Sequence, residues 1–162
     1  MHLNYLVLSD IGPFRHRHVF DFSTEDSRKS GFAFFAKNGR GKTTIYNAMK
    51  WALFGKVRRK SKLVNNLVVE GSNRPIVDEN EKEMDNILMN YDAWQDDSPQ
   101  QMSVLFIAEG EFGTLQVQRT ASCSSMARRD KDFDIELSVS LNGTLFTGTA
   151  AEEEIAKVFP GE

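Results

Sequence analysis

The run Ala36-Lys37-Asn38-Gly39-Arg40-Gly41-Lys42-Thr43-Thr44 is where residue types and spacing point most directly to chemistry. Successive backbone N–H groups in such a run can curl around an anion, and a helix that follows adds its positive N-terminal end. Gly39 and Gly41 stand where the chain passes too close to a phosphate for a side chain. Lys42 is placed to reach the β- and γ-phosphates and is the residue on which catalysis would depend. Thr43 can set its hydroxyl on Mg²⁺, and Thr44 can meet the α-phosphate. The implied cofactors are ATP and Mg²⁺. The position before the loop is usually a third glycine and is Ala36 here. A methyl group is tolerated there only if φ is not positive. Nucleotide binding is expected to survive it.

A loop of this kind must be held between a strand and a helix. Gly31-Phe32-Ala33-Phe34-Phe35 reads as the strand, apolar enough to be buried on both faces. Ile45, Ala48, Met49, Ala52 and Leu53 share one stripe of the helix, which Gly55 stops. Ahead of these, 3–8 reads as a buried strand, Asp10-Ile11-Gly12-Pro13 as a break and 19–22 as a second strand.

A basic run, Lys56-Val57-Arg58-Arg59-Lys60-Ser61-Lys62, follows the helix. It suits DNA phosphates through Lys56, Arg58, Arg59, Lys60 and Lys62, or, as the favoured reading, a solvated helix end whose cations face the dipole. Residues 63–69 could be helix or strand. The stretch from about 70 to 101 is acidic and is expected to be a long, partly mobile insertion. Strands are predicted at 102–108, 114–120 and 135–141. Residues 109–113 form a turn, and Asn142-Gly143 is a two-residue hairpin signal leading to Leu145-Phe146. A terminal helix spans 150–159. The expected organisation is 1–55 (strands, phosphate loop, helix), 56–101 (basic run, acidic insertion) and 102–162 (antiparallel strands, terminal helix).

With 162 residues, 40% of them hydrophobic, the chain can build a real core. The 20 basic and 23 acidic residues leave a net charge of −3, which excludes a nucleic-acid binder by bulk charge. Its one cysteine, Cys123, reads as an ordinary residue in a polar loop and rules out an internal disulfide. No apolar run approaches a membrane span, and the start lacks a signal-peptide pattern, so the expected location is the cytoplasm, with no membrane partner. His16 and His18 alternate with Arg15 and Arg17 as on an exposed strand edge.

The loop at 36–44 resembles the G-x-N-G-x-G-K-[ST]-[ST] loop of SMC-like ATPases, a group that includes SbcC-type repair ATPases, RecF and RecN. Leu8-Ser9-Asp10-Ile11-Gly12-Pro13-Phe14-Arg15 is similar to that group's opening strand and turn. Ile45-Tyr46-Asn47-Ala48-Met49-Lys50-Trp51-Ala52-Leu53-Phe54-Gly55 is similar to its helix after the loop. The wording is nearest to the DndD-type ATPases of DNA sulfur modification and to related phage-defence ATPases.

The resemblance implies an α/β fold with α+β character, the N-terminal lobe of an ABC/SMC-like P-loop NTPase with an antiparallel β-subdomain. It implies that Arg15 faces the nucleotide and that Asn38 helps at the γ-phosphate across a dimer. It further implies three partners: a C-terminal half of the same head, a second head as homodimer, and DNA. A nuclease or other defence or modification subunit would complete the assembly.

A catalytic carboxylate after an apolar strand is also needed for hydrolysis. Val104-Leu105-Phe106-Ile107-Ala108-Glu109 imitates one, but the turn and partner strand that follow mark it as a hairpin arm. No signature run like L-S-G-G-Q occurs. The chain therefore reads as an excerpt that does not turn ATP over alone. The competing classes are a P-loop phosphotransferase, which would continue into parallel β-α units, and a non-catalytic interaction module with a degenerate loop.

Overall fold

The architecture, seen in a computed structural model, is described for residues 1–23, 32–37, 40–59, 62–65, 88–90, 92–93, 99–124 and 133–160. It starts with a hairpin of β1 (His2–Ile11) and β2 (Phe14–Asp21), closed by Gly12 and Pro13. Helix α1 (Lys42–Phe54) leads to a separate small hairpin, β3 (Lys56–Arg59) with β4 (Lys62–Asn65). Then come β5 (Gln100–Gly110), β6 (Gly113–Cys123), β7 (Asp134–Leu141) and β8 (Thr144–Thr147), and helix α2 (Gly148–Val158).

The main sheet has six strands in the order β2-β1-β5-β6-β7-β8, and every neighbouring pair is antiparallel. This is the mixed α/β class at a coarse level, with the antiparallel group predicted above. Parallel crossover units, which a phosphotransferase would need, do not occur among the described strands. Asn142 and Gly143 take φ of 52° and 86°, as a two-residue hairpin turn demands.

Period-two alternation decides which face is dry. Leu6, Val104, Phe106, Val117 and Val139 point inward and are buried, while Gln116 and Gln118 on the other face are exposed. Helices α1 and α2 cover the inner face: α1 lies over β1, β5 and β6, and α2 over β7 and β8. From α1, Ile45, Ala48, Trp51 and Ala52 enter the core, joined by Ala151 and Ile155 of α2. Each large side chain so buried contributes about 1.5–3 kcal/mol.

Four expectations need correction. Residues 32–37 pair with no described strand and are exposed, Phe35 to 93%. Phe32 and Phe34 instead set their rings against Phe22, and Phe34 also meets Phe20. A strand buried on both faces needs neighbours on both sides, and the six strands of the main sheet bond to one another instead. The basic run is not a helix end: Gly55 turns left-handed and its N–H closes on the Trp51 carbonyl, so the run starts beyond the last helical turn, in β3.

Cys123 is not in a polar loop; β6 continues to it, pairing it with Gln100, and it is buried. Finally, most of the acidic stretch lies outside the described residues, but its end is built into the core. Leu88, Met89, Asn90 and Ala93 are buried, and Met89 bridges to Ile11. Residues 66–69 also lie outside the described residues.

Candidate functional site

Helix α1 starts at Lys42, and its N-cap is Gly41, with φ 91° and no side-chain cap. The first turn carries no acidic residue. No acidic side chain of that turn therefore offsets the positive end, the condition that favours an anion. The Lys42 ammonium donates to the carbonyl of Ala36 and, at 3.1 Å, to that of Lys37. It bends back over the loop and ties both its ends together. The Arg40 N–H donates to the Lys37 carbonyl at 3.3 Å. Thr43 is exposed at the helix mouth, and Arg40 is exposed beside it. Asn38 and Gly39 lie outside the described residues.

Positive φ among the described non-glycine residues is confined to Asp10, His16 and Asn142. Ala36 is not one of them, so its methyl group meets the condition set by the sequence.

The β1–β2 turn presses directly on this loop. A Cβ at Gly41 would sit 2.7 Å from the Phe14 ring and 2.9 Å from Pro13. One at Gly12 would sit 2.5 Å from the Thr44 methyl. Both glycines are required by close approach as well as by φ. Thr44 thus stands against the turn.

The turn is itself braced. Asp10 and His16 flank it with φ of 54° and 61°, and the Asp10 carboxylate accepts the His16 N–H at 2.7 Å and Arg15 at 2.5 Å. From behind, the Gly12 N–H donates to Leu88 and the Asn90 N–H to Asp10, each at 2.7 Å, while the Asn90 side-chain amide donates to Gly12 at 2.6 Å. Among the bracing residues, the sequence had singled out the turn, Arg15 and His16, but neither Leu88 nor Asn90. Asn90 sits inside a stretch whose composition advertises only solubility.

The predicted site residues do not all converge. Arg15 lies with Asp10 on a cavity of about 350 Å³, shared with Ser9, Ala93 and 99–103, none of them loop residues. His16 and His18 are exposed on β2, an edge strand. Lys56, Arg58 and Arg59 are in β3 and Lys62 in β4, with Arg59 paired in register with Lys62. Lys60 lies outside the described residues. Since α1 has 13 residues, the basic run begins about 20 Å from Lys42 at ~1.5 Å per residue. Glu109, in β5, is exposed and paired with Thr114 in an antiparallel ladder. Among the described residues no helix is long and apolar enough to cross a membrane.

The SbcC component of the nuclease SbcCD from Staphylococcus aureus strains JH9, Newman and JH1 is 40% identical to this chain over 63 residues. That region is 39% of this chain and 6% of each relative, so the chain matches only a small part of their length. The AAA domain family matches residues 5–154, nearly the whole chain. With an open helix N-terminus, a lysine folded over a glycine loop and a match of that extent, the chain belongs to the AAA domain family, as an AAA-type P-loop ATPase domain.

Proposed function

We propose that this chain is the N-terminal, ATP-binding lobe of an SMC/SbcC-like ATPase that acts on DNA, in which ATP binding and hydrolysis drive head dimerisation. The observation that carries the reading is the uncapped start of α1 with Lys42 lying across the loop from Ala36 to Lys37. The residues fit a triphosphate and its magnesium ion. Gly41 and the first-turn amides would hold phosphate, Lys42 would exchange loop carbonyls for phosphate oxygens, and Thr43 would take the metal. Ala36, Lys37, Asn38, Gly39 and Arg40 would form the cradle, with Thr44 beside it. ATP with Mg²⁺ would supply the energy of phosphoryl transfer.

The exposed segment 32–37 supports the excerpt reading. Among the described residues its peptide groups have no ladder partners and its phenylalanines stand exposed, and an exposed apolar patch marks an interaction surface. Strands from a C-terminal half of the head would provide those partners, along with the catalytic carboxylate and signature run. On this reading a second head completes the sandwich, and a nuclease is the natural partner, as the name of the SbcCD relatives suggests. That likeness favours nuclease-coupled processing of DNA over sulfur modification or phage defence. The hairpin β3–β4 would touch DNA phosphates. Its register pairs the basic residues Arg59 and Lys62.

Mg·ATP binding by the full-length protein and by its Lys42→Ala variant tests the reading. The parent should bind and the variant should lose at least tenfold; equal affinities would defeat it. The chain by itself should show no turnover.

A further inference from the structure

We propose that Arg119 is a positioning residue for nucleotide binding, which from the far end of α1 fixes the axial position of the helix whose start forms the phosphate site. The proposal rests on the reading of that site given above. Helix α1 has no basic residue in its last turn, so no side chain of that turn offsets the negative end of its dipole. Arg119, from β6 in the middle of the sheet, supplies the cation. It is 5% exposed, and its Nε donates to the Ala52 carbonyl at 3.2 Å. Its guanidinium lies so close to Gly55 that a Cβ there would meet Nη1 at 3.0 Å. The Trp51 carbonyl is taken by the Gly55 N–H and the Ala52 carbonyl by Arg119.

The position is otherwise apolar. Arg119 pairs with Val104 and Leu137 on the inner face, and Val117 and Ala121 flank it on its own strand. A leucine would serve packing, and an arginine there carries a desolvation cost. Burial lowers its pKa, and the charge of Glu152 on α2 opposes that. The arrangement makes sense as a tether between helix and sheet.

Its consequence appears at the other end of the helix. There Gly41 touches Pro13 and Phe14, and Gly12 touches Thr44, with no room for a methyl group. The turn is fixed to the sheet through β1, and α1 is fixed to the same sheet through Arg119. A helix free to slide would lose that register, and displacements of about 1 Å at such sites are costly in function.

The test uses the full-length protein, with Mg·ATP affinity measured well below each variant's Tm and folding checked by circular dichroism. Arg119→Met should bind about tenfold more weakly, and Arg119→Lys should recover most of the loss. A purely structural role would lower Tm and leave affinity unchanged, so a folded Arg119→Met that binds like the parent overturns the proposal. If Arg119→Met does not fold, Arg119→Gln takes its place, since it removes the charge while keeping a polar side chain. Parent-like affinity in that variant overturns the proposal too. A parent that binds no ATP, or binds no better than Lys42→Ala, overturns the phosphate site itself.

Discussion

Replacing Gly41 by alanine tests whether the β1–β2 turn and the phosphate loop form one packed unit. Two penalties add at this position. At φ +91° an L-residue pays roughly 1–2 kcal/mol for the left-handed region. The new Cβ would also lie 2.7 Å from the Phe14 ring and 2.9 Å from Pro13, and such overpacking typically adds about 1–3 kcal/mol. The sum, about 2–5 kcal/mol, is a large part of the ~5–15 kcal/mol that holds a domain together.

Gly143→Ala is the matched control. Its φ is +86°, but nothing lies within 4 Å of the added atom, so only the first penalty of roughly 1–2 kcal/mol applies. Urea denaturation with unchanged m-values reads both. Mg·ATP affinity should fall in the first variant alone. Adding Phe14→Ala to Gly41→Ala should remove part of the clash, so the double variant should be more stable than additivity predicts. Equal destabilisation by Gly41→Ala and Gly143→Ala would show that the turn does not press on the loop in solution.

Trp51→Ala should destabilise by about 3–5 kcal/mol, because a fully buried ring is lost. Trp51→Phe should be milder in denaturation, since the indole N–H has no partner among the described residues. Ala36→Gly should bind Mg·ATP within a few-fold of the parent in calorimetry, because φ at this position is not positive. Hydrogen bonds from the Ser23 hydroxyl and then its N–H hold the Asp21 carboxylate below its ordinary value of 3.8. The stabilisation it gives is therefore complete above that pH and lost as pH falls through the lower folded value. Asp21→Asn should flatten that part of the acid unfolding curve.

What the sequence made legible was mostly local. Gly12-Pro13, Asn142-Gly143 and Gly55 each encode a backbone conformation within a few residues, and each turn or stop lies where that chemistry put it. The helix stripe held in part for the same reason: Ile45, Ala48 and Ala52 are buried, while Met49 and Leu53 are half-buried and Trp51, outside the stripe, is fully buried. Alternation in β6 carried its face but hid Arg119, a charged residue on the dry side whose partner, Ala52, is far away in the chain. No short-range pattern reports such a contact. Asn90 was hidden in the same way, because acidic composition nearby reads as solvated surface while three backbone groups of the turn and its flank depend on residues 88–90.

The segment 32–35 failed for a different reason, and it bears on function. Its composition is that of a strand covered on both faces, and nothing local contradicts that. Yet in the described structure it is exposed and pairs with no described strand, Phe32 resting on Phe22 and His2 and Phe34 on Phe20 and Phe22. Among the described residues β2 and β8 are the edges of the main sheet, and 32–37 pairs with neither, with aromatic packing in place of ladder bonds. On the proposed reading, strands from the rest of the head would cover 32–37 immediately before the phosphate loop. The loop's rigidity, and with it any turnover, should depend on their arrival.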